Sequence, residues 1–261
     1  MLVAVQLDIT WEDPPANCAA VRQLLVDANV PPGALVVLPE MFNTGFSLNT
    51  DAAAEDWDTS PTRQSLAELA SDLNSHVVGG MAVRVAPDRC ENQAPVFAPD
   101  GRVLCRYAKM HPFTFANEHT AYAPGDAFDL FEWGPFTVSP FVCYDLRFPE
   151  LFRRAARHGA DLFTVGANWP ARREDHWIAL LQARAIENQA YVVGVNRCGN
   201  DPDHAYSGRS LIIDPRGQIL ADAGNDPSVI CASPDHDALR QYRTDFPALS
   251  DIRDDCLPAP R

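Results

Sequence analysis

The sequence predicts an α/β fold in which buried strands alternate with helices that cover them. Short apolar runs of strand-like composition occur at 2–7, 34–38 and 160–166. Between the first two runs, residues 16–28 repeat apolar side chains at helical spacing. Parallel strands need such a crossover helix, so this βαβ order predicts strands covered by helices on at least one face. With 261 residues and 46% apolar content, the chain can form a large buried core.

Each further element is indicated by a local signal. Ser60 and Pro61 predict a helix start, because serine caps helix N-termini and proline is tolerated in the first turn. A strand over 76–85 contains Gly79 and Gly80, which predict a bulge or a close approach of another backbone. Turns with proline and glycine predict two hairpins, 93–98 with 102–107 and 209–213 with 218–220. The other predicted strands are 128–133, 136–142 and 191–195, and the other predicted helices are 149–158 and 174–189.

The charge balance argues against some partners. Acidic residues outnumber basic ones by 35 to 21, which gives a net charge of −14. Nucleic acids and anionic membranes need a basic surface, so neither is an expected partner. A small anionic substrate is still compatible with this charge, because one arginine or lysine can dominate inside a pocket.

The cysteines and histidines give no metal or disulfide pattern. The seven cysteines are odd in number and widely spaced, without a Cys-x-x-Cys pair, and the seven histidines lack ligand spacing on one helix. We therefore expect no metal site. The first residues lack a basic start and a signal-length apolar run, and no stretch approaches the roughly 20 apolar residues of a membrane span. A reducing cytoplasm is the expected location.

One domain over residues 1–261 is expected, because no repeat, low-complexity tract or linker interrupts the chain. From about residue 232 the sequence becomes charged and rich in proline. This tail, 232–261, is expected either to pack against a partner subunit or to fray.

Three strand ends carry side chains with complementary chemistry. Glu40 follows the run 34–38, Lys109 follows the first hairpin, and Cys143 follows the strand 136–142. Each alone could be ordinary: a loop carboxylate, a solvated lysine, a small buried hydrophobe. Cys143 also precedes a predicted helix, and the positive end of a helix dipole lowers the pKa of a thiol.

Together the three groups predict a thiol hydrolase that works without histidine. A thiolate can attack a carbonyl or nitrile carbon, and a carboxylate can carry a proton to the leaving amine. An ammonium can stabilise the oxyanion of the tetrahedral intermediate.

Longer motifs around these residues resemble the nitrilase (carbon–nitrogen hydrolase) superfamily. The matching segments lie in the family's order at 38–46, 107–113, 117–125, 142–149, 168–170, 184–188 and 210–217. The resemblance implies a four-layer αββα sandwich, with two mixed sheets face to face and helices outside. It also implies hydrolysis without a cofactor and at least a dimer.

The same resemblance assigns roles to four residues. Glu40 would be general base and acid, Lys109 would stabilise the oxyanion, and Cys143 would be the nucleophile. Glu118 matches the family's second carboxylate, which positions substrate and water. The segments 41–46 and 117–119 look most like the omega-amidases, which convert 2-oxoglutaramate or 2-oxosuccinamate to the 2-oxo diacid and ammonia. One departure, Met110-His111-Pro112-Phe113 after the lysine, leaves the choice of substrate open.

Several residues are candidates for binding an amide with a distal carboxylate. The backbone N–H of Tyr144 is expected to help hold the oxyanion. Arg147 could bind the carboxylate, or pair with Asp145 or Glu150 instead. The other candidates, which could form apolar or polar walls or belong to the core, are Phe42, Phe115, Asn168 and Trp169. Arg184 and Glu187 are expected to form a structural pair on one helix face.

Other functions remain possible at this stage. Within the superfamily the alternatives are a deaminated-glutathione amidase and an N-carbamoyl amino acid hydrolase. Outside it, Cys143 could be a redox-sensing thiol, although such a thiol usually needs a resolving cysteine nearby. A binding module on the same scaffold is the remaining possibility.

Overall fold

The computed structural model describes residues 1–253. Its strands are β1 (Leu2–Gln6), β2 (Leu35–Val37), β3 (Ala54–Asp56), β4 (His76–Val78), β5 (Met81–Ala86), β6 (Arg89–Phe97), β7 (Val103–Ala108), β8 (Phe131–Trp133), β9 (Phe136–Val142), β10 (Leu162–Ala167), β11 (Tyr191–Asn196), β12 (Cys198–Asn200), β13 (Ala205–Ser207), β14 (Leu211–Ile213), β15 (Ile219–Asp222) and β16 (Ser228–Ala232). Its helices are α1 (Pro14–Asp27), α2 (Thr50–Ala53), α3 (Pro61–Asp72), α4 (Glu118–Ala121), α5 (Pro149–Arg157), α6 (Glu174–Asn188) and α7 (His236–Asp245).

Two mixed sheets form the centre of the molecule. The first has the order β16-β1-β2-β4-β6-β5-β3, with β7 paired to β6. The second has the order β15-β14-β11-β10-β9-β8, in which β9, β10 and β11 are parallel and the remaining pairs are antiparallel. The hairpins β6–β7 and β14–β15 are the two predicted from the turn residues.

Side-chain alternation in β1 separates two apolar layers. Leu2 and Ala4 belong to the cluster that joins the two sheets, whereas Val3 and Val5 belong to a cluster that includes residues of α1 and α3. This alternation follows from the two-residue period of a strand. On the other side of the molecule, α5 and α6 pack against the second sheet through buried side chains such as Phe152, Trp177 and Leu181. The layers are therefore helix, sheet, sheet, helix, as the resemblance implied.

The predicted strand 76–85 is present as two consecutive strands, β4 and β5, which both pair with β6. Val77 and Val78 of β4 pair with Phe97 and Val96 of β6, and residues 81–84 of β5 continue opposite β6 in the same register. Gly79 and Gly80 lie between the two strands, so the interruption predicted from the two glycines is confirmed.

The described part of the 232–261 tail packs against its own chain. Leu239 of α7 is buried, and Arg243 forms a 2.6 Å ion pair with Asp161. The same guanidinium donates to the carbonyls of Ala160 and Gln189. Contact between the tail and a partner subunit therefore stays a prediction, and its last residues, 254–261, lie outside the described part of the chain.

None of the helices between residues 1 and 253 combines the length and the hydrophobicity needed to cross a membrane.

Candidate active site

The ends of strands from both sheets meet at one point. Glu40 follows β2 and Lys109 follows β7 in the first sheet, while Cys143 follows β9 and Asn168 follows β10 in the second. Glycines allow this approach: a Cβ on Gly80 would lie 2.6 Å from Cα of Glu40. The sequence therefore brings the three predicted chemical groups together where the two sheets end.

Lys109 is paired with two carboxylates. Its Nζ donates to Oε1 of Glu40 at 2.8 Å and to Oε2 of Glu118 at 2.8 Å. Glu40 and Glu118 are fully buried and Lys109 nearly so, so these charges have little water to solvate them. The site thus holds two carboxylates and one ammonium in a dry environment.

Two asparagines complete the hydrogen bonding of Glu40. The side-chain amide of Asn92 donates to Oε1 of Glu40 at 2.8 Å and to Oε1 of Glu118 at 3.0 Å. The backbone N–H of Asn168 donates to Oε2 of Glu40 at 2.9 Å, and its side chain donates to the Glu40 carbonyl at 2.7 Å. Asn92 gave no signal in the sequence, because a lone asparagine in a strand belongs to no spacing pattern. Only its burial and its two carboxylate partners reveal it.

These contacts set the charge states. Burial alone would raise the pKa of Glu40, but the charge and hydrogen bond of Lys109 and the amide donors outweigh burial, so the pKa is lowered. Burial likewise disfavours the charged lysine, but the carboxylates of Glu118 and Glu40 raise the pKa of Lys109 well above its usual range. Glu40 is therefore ionised and Lys109 protonated at neutral pH.

Cys143 begins a tight turn that is held by Asp145. The nucleophile candidate has a φ of 45°, an uncommon left-handed conformation for a residue with a side chain. It starts a 3₁₀ turn, Cys143–Arg147, within which Asp145 accepts hydrogen bonds from the Val142 and His111 backbones and from the Tyr107 hydroxyl. The thiol donates to the Asn168 carbonyl at 3.9 Å.

The expectation of a lowered thiol pKa is wrong. Burial, followed by the negative charge of Glu40, raises the pKa of Cys143 well above its usual range, although the charge of Lys109 acts in the opposite direction. Only a short 3₁₀ turn follows the thiol directly, and α5 begins six residues later, so the helix-dipole argument does not apply. At rest the sulfur is a neutral thiol beside an ionised carboxylate.

A cavity opens onto this cluster and encloses about 470 Å³ of empty space, counted out to its open mouth. Glu40, Lys109 and Cys143 lie at its polar end. Its other lining residues include the aromatic or apolar Phe46, Phe113, Tyr144, Trp169, Pro170 and Tyr206. The cavity is therefore a largely apolar channel with one polar, reactive end.

The residues predicted to contact the substrate divide into two groups. Tyr144, Asn168 and Trp169 line the cavity. Phe42 instead packs in the core cluster shared with α1 and α3, and Phe115 is 77% exposed. Neither belongs to the lining found among residues 1–253, so the assignment of these two phenylalanines to the wall is corrected. Phe42 points away because it joins the apolar face of its own sheet, and Phe115 lies on an exposed turn, Thr114–Ala116.

Glu118 does not line the cavity within the described part of the chain, although it is fully buried. It contacts Lys109 and Asn92 and accepts a hydrogen bond from the backbone of Phe113. Any influence of Glu118 on a substrate is therefore transmitted through its neighbours, of which Lys109 and Phe113 line the cavity.

Two arginines line the same cavity. The Arg147 guanidinium lies over the Trp169 ring at 4.7 Å from its centroid, and that of Arg173 lies over the Phe113 ring at 5.4 Å. Neither guanidinium forms an ion pair with a carboxylate of residues 1–253, so the alternative pairing of Arg147 with Asp145 or Glu150 is not observed. Burial and the charges of Arg172 and Arg147 lower the pKa of Arg173. Sequence reasoning missed Arg173, whose only signal was its position shortly after the 168–170 motif.

Arg184 has the structural role expected of it. Its guanidinium donates to the carbonyl of Leu146 at 2.7 Å and forms a 2.8 Å ion pair with Glu187. It therefore ties α6 to the end of the turn that carries Cys143.

Comparison with known proteins gives a consistent result. The family model for carbon–nitrogen hydrolases matches residues 2–244. A 2-oxoglutaramate amidase of Bacillus subtilis is 34% identical over 253 residues, and an omega-amidase of Escherichia coli K12 is 38% identical over 252 residues; each alignment covers 96% of this chain and at least 95% of the relative.

Solved structures agree with this comparison. A carbon–nitrogen hydrolase superfamily protein of Xanthomonas campestris, solved with an arsenic adduct in its active site, is 35% identical. It superposes with a TM-score of 0.90 over 98% of both chains. An amidase of Nesterenkonia is 28% identical, with a TM-score of 0.83 over 94% of both chains. The chain thus belongs to the carbon–nitrogen hydrolase family and is a hydrolase of carbon–nitrogen bonds other than peptide bonds.

Proposed function

We propose that this hydrolase is an omega-amidase that converts 2-oxoglutaramate or 2-oxosuccinamate to the corresponding 2-oxo diacid and ammonia. The observation that carries the proposal is one cavity with Glu40, Lys109 and Cys143 at its reactive end and two arginines, free of carboxylate partners in the described chain, on its lining. An amide with a distal carboxylate matches both features. The names of the B. subtilis and E. coli relatives point to the same reaction.

The first half of the reaction forms a thioester. The Cys143 sulfur attacks the amide carbon while its proton passes to Glu40, so the sulfur never needs to exist as a free thiolate. Lys109 and the backbone N–H of Tyr144 hold the oxyanion of the tetrahedral intermediate. When this intermediate collapses, the carbon–nitrogen bond breaks, Glu40 returns its proton to the leaving nitrogen, and ammonia departs.

The second half releases the acid. Glu40 takes a proton from a water molecule that attacks the thioester carbon. The resulting intermediate collapses with cleavage of the carbon–sulfur bond, and the proton on Glu40 returns to the sulfur. Glu118 contributes by fixing Lys109, with which it makes hydrogen bonds at 2.8 and 3.0 Å.

Recognition of the far end of the substrate is assigned to the arginines. Arg147 is the predicted cation for the distal carboxylate, and Arg173 lines the same cavity. The guanidinium groups lie over the Trp169 and Phe113 rings, and one Arg147 nitrogen also lies 3.3 Å from Nδ1 of His176. Because each guanidinium has five N–H donors, both arginines retain donors for a carboxylate. The aromatic walls suit the short methylene chain between the amide and the 2-oxo acid.

The deciding experiment measures ammonia release from a panel of amides. The panel contains 2-oxoglutaramate, 2-oxosuccinamate, deaminated glutathione and N-carbamoyl-β-alanine. We expect the highest kcat/KM on one of the two 2-oxo acid amides. A clear preference for deaminated glutathione or the carbamoyl compound would assign one of the two alternative activities instead.

The same assay tests the nucleophile. Cys143→Ala is expected to lose turnover on the order of a million-fold, because the covalent step has no substitute. Cys231→Ala is the matched control, since this cysteine is exposed and lies outside the site. Intact-mass measurement should detect an acyl adduct in the native enzyme. Turnover retained by Cys143→Ala would end the covalent proposal.

A redox-sensing role is less well supported. No second cysteine of residues 1–253 lines the cavity that contains Cys143, so this cavity offers no resolving cysteine within the described chain. Peroxide consumption without amide turnover would favour the redox role. The homodimer and the cytoplasmic location stay predictions, the former open to measurement of molar mass in solution.

A further inference from the structure

Asn92 links the reactive groups without lining the cavity within the described chain. It lies in the middle of β6 and is 1% exposed. Its backbone carbonyl accepts from the Lys109 N–H at 2.8 Å, and its side chain donates to both carboxylates of the cluster. One residue thus contacts Glu40, Lys109 and Glu118.

The orientation of the Asn92 amide is fixed by its partners. Two carboxylate oxygens, at 2.8 and 3.0 Å, require the NH₂ group to face them, because an amide oxygen there would be repelled. The amide oxygen is then buried with no hydrogen-bond partner in residues 1–253. A buried acceptor without a partner costs stability. The Asn92 side chain is therefore oriented so that its NH₂ group donates to both carboxylates, although its amide oxygen has no partner in residues 1–253.

This arrangement makes the two oxygens of Glu40 unequal. Oε1 accepts from Lys109 and from Asn92, both at 2.8 Å, so its two lone pairs are used. Among residues 1–253, Oε2 accepts one short hydrogen bond, from the Asn168 N–H at 2.9 Å, and one long one, at 3.4 Å, from the side-chain amide of the same residue. The 3.4 Å bond is the longest of the four, so Oε2 is the oxygen that can exchange a weak donor for the thiol proton.

We propose that Asn92 is a positioning residue that saturates Glu40 Oε1 and thereby directs the proton between Cys143 and Glu40 through Oε2. Because an amide does not titrate, this donor is present at every pH, unlike an ionisable side chain at the same place. The proposal rests on the proposed role of Glu40 as the base for Cys143. It extends that role by naming what orients the base.

The test compares Asn92→Asp and Asn92→Ala with Asn188→Ala. Asn188 is the matched control, because it is also fully buried and, among residues 1–253, its amide donates only to the Arg184 carbonyl, away from Glu40. The readouts are the rate of Cys143 alkylation by iodoacetamide as a function of pH, mapped by peptide mass spectrometry, and kcat and KM for 2-oxoglutaramate. Thermal unfolding of each variant reports whether the fold persists.

We expect Asn92→Ala to lower kcat by about 100-fold with little change in KM, as removal of one preorganised donor does elsewhere. Asn92→Asp places a third carboxylate beside Glu40, which raises the pKa of Glu40. The acid limb of the alkylation profile should therefore move to higher pH by about one unit or more. Asn188→Ala should leave both the limb and kcat unchanged.

An unchanged kcat in folded Asn92→Ala, or an unmoved acid limb in Asn92→Asp, would reduce Asn92 to a structural residue. If Asn92→Asp does not fold, Asn92→Ser replaces it in the test. Serine keeps a shorter hydroxyl donor, so Asn92→Ser should have a higher kcat than Asn92→Ala. Alkylation needs no amide substrate, so a wrong choice of substrate would leave this profile intact. Failure of the proposed function and failure of this inference are therefore distinguishable.

Discussion

At the scale of single residues, the chemistry depends on where one proton sits at rest. Glu40, Glu118 and Lys109 together carry one net negative charge in a nearly dry site. A thiolate would add a second negative charge there, and this repulsion together with burial keeps Cys143 neutral. The nucleophile is therefore activated only when an electrophilic carbon arrives and the proton can pass to Glu40. Such a thiol is protected from wasteful reactions between turnovers.

Substrate selection leads to a prediction about Arg173. Arg173→Ala should lower kcat/KM for 2-oxoglutaramate by roughly 10- to 100-fold, because a hydrogen bond to a charged group contributes about 1.5–3 kcal/mol. The effect should fall mainly on KM. Hydrolysis of butyramide, which has no carboxylate, should be nearly unaffected.

Arg172→Ala is the matched control for that measurement. Arg172 precedes Arg173 in the same turn, Ala171–Arg173, but is exposed and absent from the cavity lining of residues 1–253. If Arg173→Ala lost as much kcat/KM on butyramide, or if Arg172→Ala lost as much on 2-oxoglutaramate, Arg173 would not bind the substrate carboxylate.

At the scale of elements, the break between β4 and β5 makes room for the base. Val78 before the glycines and Met81 after them pair with β6 in the same register, so the glycines interrupt the strand without shifting it. A Cβ on Gly80 would lie 2.6 Å from the Pro39 carbonyl oxygen and from Cα of Glu40. The absent side chain therefore allows the segment after β2 to cross directly over the strand.

Gly80→Ala should consequently disturb Glu40. Because the clash is with backbone, which cannot rotate away, we expect a loss of about 1–3 kcal/mol in the free energy of unfolding, together with a lower kcat. Gly79→Ala is the control, since the three atoms nearest to its Cβ would all belong to the Leu66 side chain and none to the backbone that carries Glu40. Urea unfolding and ammonia release measure the two effects. Wild-type kcat in Gly80→Ala would show that the position of Glu40 tolerates the shift.

This element also shows what the sequence could predict. Local signals, such as the paired glycines and the turns of the two hairpins, predicted the strands, and strand ends predicted Glu40, Lys109 and Cys143. Asn92, Arg173 and Tyr206 could not be predicted in this way, because none of them directly follows a predicted strand. The raised pKa of Cys143 was missed for the same reason, since it depends on burial and on Glu40 rather than on the neighbouring turn.

At the scale of the whole molecule, burial raises the pKa of many thiol and phenol groups. Burial raises the pKa of all six cysteines in the described chain, that of Cys198 to about 11. Burial also raises the pKa of four tyrosines, Tyr107, Tyr122, Tyr191 and Tyr206. The pKa of Lys109 is raised too, because the carboxylates of Glu118 and Glu40 outweigh the opposing effect of burial. All these groups therefore bind protons more tightly in the folded chain than in the unfolded chain.

The stability of the protein should consequently fall in alkaline solution. A group with a raised folded-state pKa stabilises the fold fully below its unfolded pKa, and this contribution is lost as the pH rises through the folded value. Cysteines have the lowest unfolded value of the set, 9.0, so the free energy of unfolding should begin to fall near pH 9. Urea unfolding under reducing conditions at pH 7.5 and pH 10 measures the difference.

The net charge of −14 provides a competing explanation, because deprotonation also increases repulsion across the whole molecule. Half-molar salt separates the two effects, since it screens repulsion between exposed charges but leaves the protonation of buried thiols largely unaltered. A decline that persists in salt, and that becomes smaller in Cys105→Ala, follows from buried protonated groups. A decline that disappears in salt would assign alkaline instability to the surface charge alone.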